Sequence, residues 1–480
     1  MIMTPITTIL QRAVLVAATL SIAACEDNST DNPTTAVQLK NHSSIPALVK
    51  TRDVSGLELF SLISSDDTLS DSPGFIFGGS ADGSGLIRNA DGTYTMIVNH
   101  EDNFSVSRIT LDKTFKPTKG EYLVNSDNGR WRLCSATLAT MEEHGFGPLY
   151  LTCGESGEES MTHGINPLGG LGQSNPLNGL GHWSAENAVP LPKSAYSGRT
   201  VILIGDDDSG NHGGQLAMYL TSTVGDMNNG SLYVLTRNDN NVREMDMVAG
   251  QSYPVTFRKI DNHTSMTGAQ INAKSSELSS IKFGRTEDID YRKNGVGREV
   301  YFNVTGQAST GANADNSRTK YGRVYRLTLD AADPTKGALE VVLDGDNRSG
   351  IAGTFQNVDN ICVTQNYIYI QEDPNGYGDE THDSYLYQYD IAAKTMKVVF
   401  ELDHHRGDAK FNVGGESKKG AWEYGSLVDI SDKVGIANTF MLCIQPHTWT
   451  GARYRNPDGG SIRPDESQAS QIIIVKGLAR

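Results

Sequence analysis

Four strand-like runs of this chain each end in groups that bind cations or move protons: TMIVNHED (95–102), LYLTCGES (149–156), RTVILIGDDDSGN (199–211) and NYIYIQEDPNG (366–376). A strand that ends in Glu, Asp, Asn or Cys delivers a donor atom to the place where strand ends converge. Several such strands around one axis build a hard-cation site that no single local motif reveals.

The densest cluster, NVDNICVTQNYIYIQEDPNGYGDE (357–380), offers Asp359, Glu372 and Asp373, with Pro374 and Gly376 turning the chain behind them. Oxygen donors of this kind suit calcium or ferric iron, and an acidic surface turn is the plainer alternative. FGRTEDIDY (283–291) repeats the idea with Glu287 and Asp288. In NHED, Asn99 and His100 are candidate catalytic groups beside Glu101, although a histidine there also serves as an ordinary hydrogen-bonded structural residue. GDDDSGN lacks the ligand spacing and the bidentate glutamate of an EF-hand loop, so it reads as an independent calcium turn or as a simple turn. LTCGES is the most discriminating segment. Cys153, followed by Glu155, is either a small core residue or a thiolate ligand, and a thiolate selects a metal softer than calcium. His404, His405 and His447 are scattered. No GxSxG elbow, Walker A loop or HExxH helix occurs, which removes the common serine hydrolase, NTPase and zincin readings.

The elements that must position these groups are strands. From about Val37, short runs rich in aromatic and β-branched residues alternate with Gly, Asn and Asp turns, and 50 glycines are available to make them. The fold expected is all-β, a single β-propeller of about six blades with long loop insertions at 157–197 and 250–280. GRVYRLTLD (322–330) and SYLYQYDI (384–391) read as middle strands of blades, and SQIIIVKG (470–477) as a closing strand paired with an early one. The domain division is 1–24 as a lipoprotein signal peptide, 25–36 as a lipidated polar tether and 37–480 as the propeller.

Arg12, the apolar stretch Ala13 to Ala24 and then Cys25 form the leader, too short to span a membrane and patterned for lipidation of Cys25. The chain is therefore expected to be exported and anchored to the bacterial cell envelope through its lipid alone. With 41 Lys plus Arg against 57 Asp plus Glu, the formal charge is -16, which repels phosphate backbones and argues against nucleic acid as a partner. Cys134, Cys153, Cys362 and Cys443 show no tight spacing, so they form neither a disulfide scaffold nor a zinc cluster, although a Cys134–Cys153 bridge is open as an alternative to a ligand role for Cys153.

An ordered series of segments resembles the PhoX-type alkaline phosphatase family of bacteria: GTYTMIVNHED (92–102), RLCSATLATMEEHGFGPLYLTCGES (132–156), GDDDSGNHGGQLAMYL (205–220), NGSLYVLTR (229–237), RTEDIDY (285–291), DNICVTQNYIYIQEDPNG (359–376) and GAWEYGSLVDIS (420–431). The resemblance implies an exported propeller that hydrolyses small phosphomonoesters using ferric iron (Fe3+) together with calcium (Ca2+). Carried over by position, it implies Cys153, Glu287 and Glu372 as metal ligands, with Glu101 and Glu155 further ligands facing the axis. The chain departs from the family pattern at Gly154, where many relatives place a glutamate directly after the cysteine. A phosphate-binding arginine is also implied, with Arg132, Arg130 and Arg285 the candidates. Two alternatives stand beside this reading: a calcium-dependent propeller lactonase or esterase, and a non-catalytic surface lipoprotein stabilised by cations.

Overall fold

The computed structural model describes residues 36–480; the expected signal peptide, Cys25 and all but the last residue of the tether lie outside the described residues. Among the described residues every sheet is antiparallel and the longest helix is the ten-residue Gly268–Glu277. Six innermost strands surround a common axis: Ala81–Arg88, Leu133–Ala139, Ala185–Pro190, Thr286–Tyr291, Val358–Val363 and Glu423–Asp429. Each packs against the next, and the last returns to the first, so the ring is closed.

Counted as hydrogen-bonded sheets the described residues form five, which corrects the expected six. Three have four strands and one has five. The remaining sheet has nine, because Ser252–Ile260 pairs with Ser231–Arg237 on one side and with Lys336–Asp344 on the other, joining two strand sets edge to edge. That strand and helix Gly268–Glu277 occupy most of the segment expected to be a loop at 250–280. Likewise, the region 157–197 contains the innermost strand Ala185–Pro190 and is not simply an insertion.

Closure comes from the early strands. Glu58–Ser64 pairs with Gln471–Lys476, and Val49–Thr51 adds a fifth strand beside Thr395–Leu402. The uninterrupted apolar run Ile472–Val475 follows from this position. Ile472 and Ile474 pack in one interior cluster while Ile473 and Val475 pack in another, since the sheet is covered on both faces. Each such side chain contributes about 1.5–3 kcal/mol on leaving water, which fixes the ends of the chain firmly to each other. Arg323–Leu329 and Tyr385–Asp390 are interior third strands of their sets.

Candidate metal centre

One local device recurs in all six innermost strands. Directly after the first or second residue the register slips, so that two consecutive residues bulge from the ladder: Asp82-Gly83, Cys134-Ser135, Glu186-Asn187, Glu287-Asp288, Asp359-Asn360 and Gly425-Ser426. A bulge bends the strand and re-aims a side chain. Here the first bulged residue is an acid or the cysteine in five cases, and in the sixth strand Glu423, its first residue, takes that part.

The neighbouring second strands run antiparallel, so their C-terminal ends arrive at the same end of the axis. In five of the six sets the residue after the second strand is tied to the residue before the innermost one: Glu101 N donates to Ser80 O (3.0 Å), Glu155 N to Arg132 O (2.7 Å), Asp207 N to Ser184 O (2.7 Å), Thr305 N to Arg285 O (3.0 Å) and Asp373 N to Asn357 O (3.0 Å). Two rows of ligand-type side chains result.

The rows interleave. Ligand atoms lie within 4.8 Å of one another in four overlapping triads: Asp82, Glu101 and Cys134; Cys134, Glu155 and Glu186; Glu186, Glu287 and Asp359; Asp359, Asp373 and Glu423. Burial and then mutual repulsion push the carboxyls of Asp82, Glu155, Glu186, Glu287, Asp359 and Glu423 well above the carboxylate range. The Cys134 thiol is raised for the same reasons, with Glu101 the first of its neighbours. Burial lifts Asp288 to about 6. Asp206 Oδ2, Asp288 Oδ1 and Asp359 Oδ1 are buried without a hydrogen-bond partner. Buried acceptors without donors, set among carboxyls that repel each other, are what bound cations neutralise. The donor set is eight carboxyls and one sulfur, which suits hard cations with one softer metal at Cys134.

Two guanidinium groups meet this cluster. Arg285 Nε and Nη2 donate to Asp207 Oδ1 (2.6 Å) and Oδ2 (2.8 Å), its Nη2 lies 3.2 Å from Glu287 Oε1, and its Nη1 donates to Asn375 Oδ1 (2.6 Å). Burial opposes ionisation of Asp207, yet Arg285 holds its carboxyl below the usual range. Arg132 Nη1 stands 3.3 Å from Glu101 Oε1 and 3.6 Å from Glu155 Oε2, and the side chain keeps 45% of its surface exposed. A pocket of about 520 Å³, lined in part by Glu155, Asp206, Asp207, Asp208, Arg285 and Tyr377, opens beside them.

The structure thus brings together Glu101, Arg132, Glu155, Glu287, Asp359 and Asp373 from the sequence-based set, and adds Asp82, Cys134, Glu186 and Glu423. It does not bring Cys153 there. That thiol is fully buried in the cluster that holds Leu151, Ala185 and Ala188, its hydrogen-bond partner is Thr162 Oγ1 at 3.3 Å, and burial pushes it up to about 12. All four described cysteines are free, so no Cys134–Cys153 bridge exists. Glu372 faces the interior of its own sheet, accepting from Gln356 N, Tyr385 N and Tyr387 Oη and facing His382 Nε2. His100 packs edge-on against Phe77, bonds Ser107 Oγ and is lowered by burial to about 3. Asn99 is spent on Cys134 O and Thr152 Oγ1. Arg130 caps the C-terminal end of the short helix Ser126–Gly129. His404 stacks on Trp422, whereas His447 Nε2 reaches Glu423 Oε1 at 3.1 Å. Three of the four missed residues share a legible signal, D-G, C-S and E-N, an acid or cysteine followed by a small residue, whereas Glu423 is followed by Tyr424 and carries no such mark.

The chain matches no protein-family model and no curated protein. Among solved structures, PhoX of Pseudomonas fluorescens in complex with vanadate, a transition state analogue, superposes with a TM-score of 0.62 at 14% identity, over 92% of this chain and 98% of that one. This establishes a shared fold. The α-L-arabinofuranosidase Arb93A of Fusarium graminearum with an iminosugar inhibitor (TM-score 0.40, 11% identity, 83% and 96% coverage) and the PQQ-bound aldose sugar dehydrogenase of Streptomyces coelicolor (0.35, 9%, 88% and 99%) are too distant to bear on it.

Proposed function

We propose that this protein is a metal-dependent phosphomonoesterase acting on small organic phosphoesters. The observation that carries the reading is the convergence of eight carboxyls and the Cys134 thiol on the axis, beside two arginines, in a fold shared with a protein that holds vanadate. Asp82, Glu101, Glu155, Glu186, Glu287, Asp359, Asp373 and Glu423 would hold Ca2+, and Cys134 with its carboxylate neighbours Fe3+. Bound there, such cations supply Lewis acidity and an activated water for attack on phosphorus.

The chain's own groups do the rest. Arg132, exposed at the mouth, presents free guanidinium donors to phosphate oxygens and opposes the repulsion that the acidic rim exerts on an anion. Arg285, locked by Asp207 and Asn375, is a rigid positive wall rather than a mobile finger. Asp207 in turn fixes the orientation of that guanidinium, whose Nη2 also lies 3.2 Å from the axial Glu287 Oε1. Tyr377 and the 520 Å³ pocket receive the organic part of the ester.

Cys134 among the ligands favours this reading over a calcium-only lactonase, which has no use for a sulfur donor. The test is turnover of p-nitrophenyl phosphate with and without chelator, beside a lactone and an aryl acetate. Phosphate release that is lost on chelation supports the proposal, and hydrolysis of the lactone alone replaces it with the lactonase. Export and lipid anchoring at Cys25 are part of the proposal; retention of a Cys25→Ser protein in the membrane fraction would remove the anchor.

A further inference from the structure

One strand position recurs through the molecule without belonging to the axial cluster. It is the penultimate residue of five second strands, Asn99, Cys153, Gly205, Asn303 and Gln371, and Cys443 in the sixth, where the bulge comes one residue later. In every case the residue after it pairs with the last residue of the innermost strand before the bulge, so the six positions are equivalent in register.

What stands there faces the bulge of the following sheet. Asn303 Nδ2 donates to Asp359 O (2.7 Å) and Asn360 O (3.0 Å). Gln371 Nε2 donates to Gly425 O (2.6 Å). Asn99 Nδ2 donates to Cys134 O and also to Thr152 Oγ1 (2.8 Å), while Tyr150 Oη, bonded to Gly83 O (2.8 Å), sits 3.1 Å from Asn99 Oδ1. All three carboxamides are fully buried. At the position held by Gly205 the backbones approach so closely that a Cβ would lie 2.3 Å from Glu287 O.

The chemistry explains the residue type. A bulge takes its carbonyls out of the strand ladder, and a buried carbonyl without a donor costs about 1–3 kcal/mol. A lysine or arginine in that place would add a buried charge, whereas a carboxamide donates while remaining neutral. It also fixes the peptide plane of the bulged residue, and with it the direction of the side chain that leaves the same Cα.

We propose that Asn99, Asn303 and Gln371 are positioning residues for the axial cation ligands of the following sheet: Asn99 sets Cys134, Asn303 sets Asp359, and Gln371 sets the bulge behind Glu423. The inference rests on the reading of the axis as a cation site and is independent of which ester is hydrolysed.

The test uses the full chain stripped of cations and titrated with Ca2+ alone by calorimetry. Asn303→Leu, near in shape but without the donor, is compared with Cys443→Ala, which trims the equivalent position of a sheet that uses no carboxamide. Outer-sphere partners of metal ligands typically govern affinity by about 10–100-fold, and a loss in that range for Asn303→Leu with less than about twofold for Cys443→Ala is expected. Equal losses in the two variants would overturn the proposal, because they would mark a general packing effect. If Asn303→Leu does not fold, Asn303→Ser, which leaves room for a water, is held to the same criterion. Wild-type protein that binds Ca2+ without hydrolysing any phosphoester would end the phosphatase reading and leave this inference standing. Wild-type protein that takes up no Ca2+ would end the inference.

Discussion

Replacement of Glu372 by alanine separates a ligand from a structural carboxyl. Its two oxygens accept from Gln356 N (2.7 Å), Tyr385 N (2.8 Å) and Tyr387 Oη (3.0 Å), and His382 Nε2 lies 2.9 Å away, all with the Glu372 side chain fully buried. Truncation leaves three or four donors without an acceptor, each worth about 1–3 kcal/mol when orphaned. Water entering the space restores part of this, so a net loss of about 4 kcal/mol is expected, at the upper end for a single substitution. For a chain of this length the melting temperature moves by roughly 1 °C per kcal/mol, giving a fall of about 4 °C. Glu372→Gln keeps one oxygen but turns an amide N–H toward a donor, so about half that loss is expected. Scanning calorimetry of the cation-loaded proteins, with metal content measured on the same samples, reads both effects. Bound metal per chain is expected to stay at the wild-type value. A Glu372→Ala protein that melts like wild type and has lost a cation would refute this placement.

Cys134→Ser is expected to remove the softer metal and activity and to lower the melt, because the carboxyls around it lose a neutralising cation, whereas Cys153→Ala costs about 1–2 kcal/mol and leaves metal content intact; elemental analysis and calorimetry of the pair decide it. Arg132→Ala is expected to lower kcat/KM on p-nitrophenyl phosphate by roughly 10²-fold or more with bound metal unchanged, as measured by steady-state kinetics. After chelation the axial carboxyls have folded pKa values raised above their unfolded ones, so their stability contribution is present below about pH 4 and is lost as pH rises through the folded values. Urea melts are therefore expected to show the chelated protein falling behind the cation-loaded one as pH rises from 5 to 8, and a constant gap between them would contradict the assignment.

The all-β architecture was legible because second and third strands such as RTVILIG and SYLYQYDI are covered on both faces and read as apolar or aromatic runs. The innermost strands were not. ADGSGLIR, AENAVP and EYGSLVD carry buried polar residues and glycines at their bulges, which breaks the period that marks a strand. Glu287, Asp288 and Asp359 apart, chemistry was consequently assigned to the ends of second strands. Glu101, Glu155 and Asp373 reach the axis from there, because the turn after a second strand meets it. Cys153 and Glu372 still lie within the second strand and point into the layers beside it. The sheet count failed for a different reason: nothing in SYPVTFRKI marks it as a strand shared between two sets, since both of its neighbours are chosen by packing at long range.

The central claim is that the axis is a metal centre that includes Cys134 and hydrolyses phosphomonoesters. Its most direct test is elemental analysis of the purified protein before and after chelation, with p-nitrophenyl phosphate turnover followed on the same samples and calcium then added back. The account predicts iron and calcium in the untreated protein, loss of turnover on chelation and its return with calcium. A protein free of bound cations, or turnover indifferent to chelation, would contradict it.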